Sequence, residues 1–219
     1  MTGHHHQHHQ DPPADTDPAR FWDERYGQAE RIWSGRVNPV LAEVAADLPP
    51  GTVLDLGSGE GGDAVWLATR GWHVTAVDIS TVALERLAVE AARADVADRI
   101  TTARHDVTRD FPAGRFDLVS AQFFQSPLVL PRDQVLPRAA GAVAPGGRLL
   151  VVEHGAPPPW SGLDADDPRF ASPERILAAI DLDPDGWRIE RLGAARRTAT
   201  GPDGHPGELV DHVVLAHRR

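Results

Sequence analysis

The chain has 219 residues, 41% of them hydrophobic, enough to bury one sizeable core and to be counted as a single domain. Its net charge of -10 opposes polyphosphate partners, and cysteine is absent, which removes disulfides, thiolate nucleophiles and cysteine-ligated metal. Lysine is absent too, so all 22 cationic side chains are arginine, and Schiff-base chemistry, the P-loop lysine and the Tyr-x-x-x-Lys pair are excluded.

Residues 1–17 carry a run of histidines (His4, His5, His6, His8, His9) and no apolar periodicity, and are predicted to be a disordered tail without a catalytic role. No apolar run is long enough to cross a bilayer and no signal region is seen, so a cytoplasmic protein is expected. Asp17 and Pro18 open a short helix to Tyr26; the loop IWSGRVNP follows, and Asn38 and Pro39 start a helix with Val40, Leu41, Val44 and Leu48 inward. This aromatic-bearing arm, 18–48, is expected to fold over a pocket at the end of the first strand.

That strand runs into VLDLGSGEGG, residues 53–62, and then into a helix. Glycine tolerates positive φ and lacks Cβ, so the turn can bring backbone N–H groups against a ligand at a helix N-terminus. Gly57, Gly59 and Gly62 satisfy the dinucleotide fingerprint G-x-G-x-x-G. Asp55, Gly57, Gly59 and Gly61 equally satisfy the D/E-x-G-x-G-x-G of S-adenosylmethionine enzymes. The glycines alone do not choose between these.

A helix over 62–70 and a strand over 73–79 follow, the strand bringing Asp78 about twenty residues past the first glycine, where an acid meets ribose hydroxyls. Ser80 caps the next helix, with Val82, Leu84, Leu87 and Val89 as its apolar residues. Strands are predicted over 100–105, leading into Asp106 and Val107, over 116–121, leading into Gln122, and over 148–153, ending beside His154; a Pro-interrupted helix to Ala144 separates the last two. Five β-then-α units indicate a parallel sheet covered on both faces, with ligands beyond the carboxyl ends of the strands. After a helix from Ser172 to Ile180, two strands, 187–197 and 209–218, form a closing hairpin. The fold class is therefore α/β, Rossmann-like, with seven mostly parallel strands and an antiparallel end.

These blocks in this order (VLDLGSGEGG, VTAVDIS, ARHDV, FDLVSAQFF and APGGRLLVVEH) resemble the class I S-adenosylmethionine-dependent methyltransferases. FWDERYG and WSGRVNPVL look like the small-molecule branch related to tellurite-resistance and thiopurine methyltransferases. The resemblance implies S-adenosyl-L-methionine as cofactor, with Gly57, Gly59 and Gly61 lining its methionine portion and Asp55 holding its amino group. It places Asp78 on the ribose, Ile79 on the adenine, Asp106 and Val107 at the adenine edge, and Gln122 beside the methyl group. Tyr26, Trp33 and Arg36 would close over the site, Arg36 toward the methionine carboxylate.

His154 has the type and location of a general base for a hydroxyl or protonated amine, with Glu153 and His105 as alternatives. The Asn/Asp-Pro-Pro-Tyr signature of amino-methylases is replaced by AQFFQSP, and the cysteines of arsenic methylation are missing. Both point to a small-molecule acceptor, with no nucleic acid and no membrane, handled by a monomer or homodimer. The competing readings are an NAD-type oxidoreductase and a non-enzymatic nucleotide- or metal-binding protein.

Overall fold

The computed structural model describes all residues except 1–11, 14, 165, 166, 168, 202 and 203, so the histidine run lies outside the described residues. Helix α1 (Pro18–Gly27) starts where Asp17 accepts a hydrogen bond from Arg20 N at 2.8 Å, and α2 (Pro39–Ala46) follows the arm loop. Then come β1 (Thr52–Leu56), α3 (Gly62–Thr69), β2 (His73–Asp78), α4 (Thr81–Arg93), β3 (Ile100–Arg104), β4 (Phe116–Gln122), α5 (Arg132–Gly141), β5 (Val143–His154), α6 (Pro173–Ile180), β6 (Trp187–Thr200) and β7 (Pro206–Arg218). The seven strands form one sheet in the order β3-β2-β1-β4-β5-β7-β6. β7 runs antiparallel to both β5 and β6, and the other pairings are parallel. Strand order reverses between β1 and β4, which opens a crevice at their carboxyl ends.

Side chains alternate across the sheet and divide the core in two. Val53 of β1 faces Leu41 of α2, Leu67 of α3 and Leu87 of α4. Leu54 and Leu56 face the opposite layer, built from Val135 and Leu136 of α5 and Ile176 and Ile180 of α6. Burying each of these side chains is worth about 1.5–3 kcal/mol, which is why the central strands β1, β4 and β5 are largely apolar, while the edge strand β3 (ITTAR) is not.

Four expectations need correction. β3 is followed by a loop, 105–115, with no helix, so there are four β-then-α units. In α4 the inward stripe is Ala83, Leu84, Leu87 and Ala91, while Val89 is 49% exposed, because the 3.6-residue period carries Val89 off the buried face. α5 ends at Gly141, and Pro145-Gly146-Gly147 lies inside β5, absorbed by a register irregularity opposite Phe116 and Leu118, a bulge where proline's missing N–H costs no ladder bond. The closing strands extend to Thr200 and back to Pro206, taking in residues predicted as their connection.

Candidate active site

The glycine turn is tied to β2 by the Gly57 and Ser58 N–H groups, which donate to Val77 O at 2.8 and 3.0 Å. Gly57 and Gly61 have φ of +68° and +86°. A Cβ on Gly57 would lie 2.6 Å from the Phe124 ring, and one on Gly61 2.4 Å from Leu87 Cγ. Conformation and close approach both require glycine there. The turn forms the floor of a cavity of about 610 Å³ that opens at the strand ends.

Every residue predicted for the site except Glu153 borders this cavity. Asp78, at the end of β2, accepts from Gly59 N at 2.8 Å and Ser80 N at 2.9 Å, and burial holds its carboxyl above the usual range. Asp55 is more extreme. It is fully buried, its Oδ2 has no hydrogen-bond partner, and burial followed by the charges of Asp63 and Asp78 pushes its carboxyl well up. Gln122 donates through Nε2 to Ser120 Oγ at 3.0 Å and leaves Oε1 buried and unpartnered. Orphaned buried acceptors are costly unless a donor or cation arrives.

Ile79 follows Asp78, its carbonyl accepting from Arg104 Nε at 3.0 Å. Asp106 shapes the next loop by accepting from Thr108 N and Oγ1 at 3.1 and 2.6 Å, and it also meets Arg109 at 3.3 Å. Val107 is held through its carbonyl by Arg138 at 3.1 Å.

The arm closes the other side. The Tyr26 hydroxyl accepts from Trp33 Nε1 at 3.1 Å, and burial, then the Asp78 charge, hold the phenol far above its ordinary value. Arg36 lies at the exposed rim. Three carboxylates that the sequence did not single out fasten the arm. Asp23 of α1 accepts from Ser80 Oγ at 2.6 Å and Val82 N at 3.2 Å. Asp63 accepts from Asn38 N and Nδ2 at 2.7 and 2.6 Å. Glu60, in the glycine turn, accepts from Ile32 N, Trp33 N and Arg86 Nη1 at 3.0, 2.9 and 2.7 Å.

At the far end, His154 Nδ1 lies 3.3 Å from Asp211 Oδ1 and its ring stacks on Phe123 with centroids 4.3 Å apart. Asp211, 2% exposed, also receives Arg197 Nε at 2.6 Å and Nη2 at 3.4 Å. Burial would raise the Asp211 carboxyl, but the hydrogen bonds from His154 and Arg197 outweigh it and leave it below its ordinary range. Neither Asp211 nor Arg197 was legible as a site residue, since both reach His154 only through the pairing of β5, β7 and β6. His105 also borders the cavity, bonded to Asp110. Glu153 does not. Its neighbour His154 takes the cavity side, so Glu153 faces the opposite layer and pairs with Arg132. Among the described residues no group of three or more His, Asp or Glu could hold a metal, and no helix is long and apolar enough to cross a membrane.

Comparison with known proteins agrees with this geometry. A family model described as a methyltransferase domain matches residues 53–147. The chain is 31% identical over 167 residues to a 27-O-demethylrifamycin SV methyltransferase of Amycolatopsis mediterranei, covering 74% of this chain and 60% of that protein. It is 41% identical over 179 residues to a 23S rRNA (uracil(1939)-C(5))-methyltransferase of Halomonas elongata, covering 81% of this chain and 32% of that one. It thus spans less than two thirds of either relative. The N-methyltransferase NodS of Bradyrhizobium japonicum, solved with S-adenosyl-L-homocysteine, shares the fold with a TM-score of 0.66 at 16% identity, over 92% of this chain and 99% of that one. With its glycine turn, its acidic strand ends and its antiparallel closing hairpin, the chain has the Rossmann-like fold of the class I S-adenosylmethionine-dependent methyltransferases and carries a methyltransferase-domain match over residues 53–147.

Proposed function

We propose that the chain transfers a methyl group from S-adenosylmethionine to a small-molecule acceptor by in-line displacement. The observation that carries the reading is the pair of orphaned buried acceptors, Asp55 Oδ2 and Gln122 Oε1, on one cavity with Asp78. A ligand bearing an ammonium and a sulfonium is the complement of such a lining, whereas a dinucleotide would bring phosphates toward the Asp55 and Asp78 carboxylates.

In this reading Asp55 and the turn of Gly57, Gly59 and Gly61 hold the methionine end, with Arg36 for its carboxylate. Asp78 keeps lone pairs for the ribose hydroxyls beyond those its two backbone donors use. Ile79, Asp106 and Val107 bound the adenine, and Gln122 borders the reacting carbon. When bound, the cofactor supplies a methyl group already activated by its sulfonium. The task left to the protein is alignment and exclusion of water, which Tyr26 and Trp33 perform as the roof.

Support for a small acceptor comes from the enclosure. The arm and residues 123–126 and 128–131 border the same cavity, and the net charge of -10 disfavours a nucleic acid.

Asp78→Ala is expected to weaken S-adenosylhomocysteine binding about tenfold, roughly 1.4 kcal/mol, by calorimetry. Undiminished affinity would remove Asp78 from the ribose. Titration with NAD in parallel separates the methyltransferase from an oxidoreductase.

A further inference from the structure

The acceptor end of the cavity restricts what can be methylated. Residues 122–131, QFFQSPLVLP, contain no charged side chain, and Phe123, Phe124, Leu128 and Leu130 all border the cavity. Val129, on the same rim, is 89% exposed. Among the described residues, His154 is bonded to Asp211 of β7, and the same carboxylate receives Arg197 of β6 at 2.6 Å. Glu153 lies behind the sheet with Arg132. Arg197, the described arginine lining this end of the cavity, is thus already compensated, so an anionic acceptor such as a thiolate or carboxylate would have to shed water without replacement.

A neutral acceptor must lose a proton as it is methylated, and the site holds a group built for that. Asp211 accepts at Nδ1 of His154, which fixes the proton on that nitrogen and leaves Nε2 basic. The imidazole is kept flat on Phe123, with an interplanar angle of 28°, and Phe123 is held at φ +51°, a conformation costly for a bulky residue. The Phe123 ring also carries the Arg197 guanidinium at 5.4 Å, so it fixes both groups, and the apolar wall left to an acceptor is that of Phe124, Leu128 and Leu130, which suits a flat apolar framework.

We propose that the acceptor is a neutral hydroxyl on a flat apolar framework, a phenol in the simplest case, and that His154 takes its proton. Asp211 and Arg197 serve as positioning residues. The O–H bond breaks and its proton passes to His154 Nε2; the oxygen's electron pair forms the O–CH3 bond; the S–CH3 bond breaks and its pair stays on sulfur as the thioether of S-adenosylhomocysteine. This proposal rests on the methyl-transfer reading above.

The test uses the full chain with S-adenosylmethionine and matched sets of one- to three-ring phenols, thiophenols and aromatic carboxylic acids, plus a short ribosomal RNA fragment, read as a mass gain of one methyl. Phenols are expected to be methylated at least tenfold faster than their thiol and acid counterparts, with RNA unchanged. His154→Gln should lower phenol turnover by about a hundredfold. Asp211→Asn should lower kcat about thirtyfold with KM for the phenol within twofold, a split that general loosening would not give. S-adenosylhomocysteine affinity in each variant reports whether it is folded. Preference for thiols, acids or RNA, no phenol methylated, or normal turnover in a folded His154→Gln would overturn the proposal. Failure of the unaltered chain to bind S-adenosylhomocysteine would instead overturn the methyltransferase reading.

Discussion

Glu60→Ala will free the arm and weaken S-adenosylhomocysteine binding by about a hundredfold, roughly 2.7 kcal/mol. The Glu60 side chain is 3% exposed, and its two oxygens collect Ile32 N, Trp33 N and Arg86 Nη1. Arg86 in turn donates through Nη2 to Ala29 O at 2.6 Å, so one carboxylate organises the loop between α1 and α2 from both ends. Truncation leaves two backbone donors and a guanidinium without their acceptor, and breaking a buried pair in this way costs about 3–5 kcal/mol. That cost falls on the docking of the arm, because Glu60 belongs to a turn and the two core layers lack it. Trp33 and Arg36 then leave the roof, and bound nucleoside loses its cover. Calorimetry checks the affinity, and limited trypsin digestion checks the arm, with new cleavage at Arg31 and Arg36. Glu60→Gln, which keeps an acceptor but not the charge, should fall between the two. An alanine variant that binds at full strength with its arm protected would show that the arm docks without Glu60.

The glycine turn, the strand order that frames it and the acids at the strand ends could be read from the chain because each is written locally. Asp55 and Asp78 stand at fixed distances from an apolar strand and a glycine, and parallel βαβ units put such positions at one crevice whatever the loops do. Glu60 is equally close to the glycines, yet it reads as a solvated loop acid, since its partners Ile32 and Trp33 lie 28 and 27 residues upstream. The His154 environment failed to appear for a similar reason. Antiparallel pairing sets His154 directly across from Asp211, and on the next strand Arg197 comes within reach, but that register depends on where the hairpin turns. Local spelling also began β5 too late. Pro-Gly-Gly is a turn signal, and only the irregular pairing with β4 makes it part of a strand. The two fingerprints shared by the glycines could not be separated within the turn; the reversed closing strand and the unpartnered Asp55 and Gln122 separate them.

The unliganded protein should lose about 3 kcal/mol of stability between pH 4.5 and pH 7 on account of Glu153 alone. This side chain is 1% exposed on the layer opposite the cavity, and burial, offset in part by Arg132, pushes its carboxyl up from 4.5 to about 7. Across that window the folded chain keeps a proton that the unfolded chain has released, so folding takes up a proton and stability declines as pH rises. Each unit of separation is worth about 1.4 kcal/mol, and the decline flattens above the folded value. Asp55, Asp63 and Asp78 are raised as well and steepen the fall from the acidic side. Asp211 and Glu190 are lowered, so their stabilisation is lost only as pH drops below the ordinary carboxylate range, and they do not offset the decline above pH 4.5. Urea unfolding at pH 5, 6, 7 and 8 measures the slope. Glu153→Gln keeps the volume and an acceptor for Arg132 without a titrating group, so its curve should be shallower by about 3 kcal/mol and cross that of the unaltered chain. Parallel curves would mean that Arg132 keeps Glu153 ionised throughout. Arg132 opens α5 immediately after Leu130 and Pro131 of the cavity rim, so the same comparison on acceptor KM tells whether this buried proton also sets the shape of the acceptor wall.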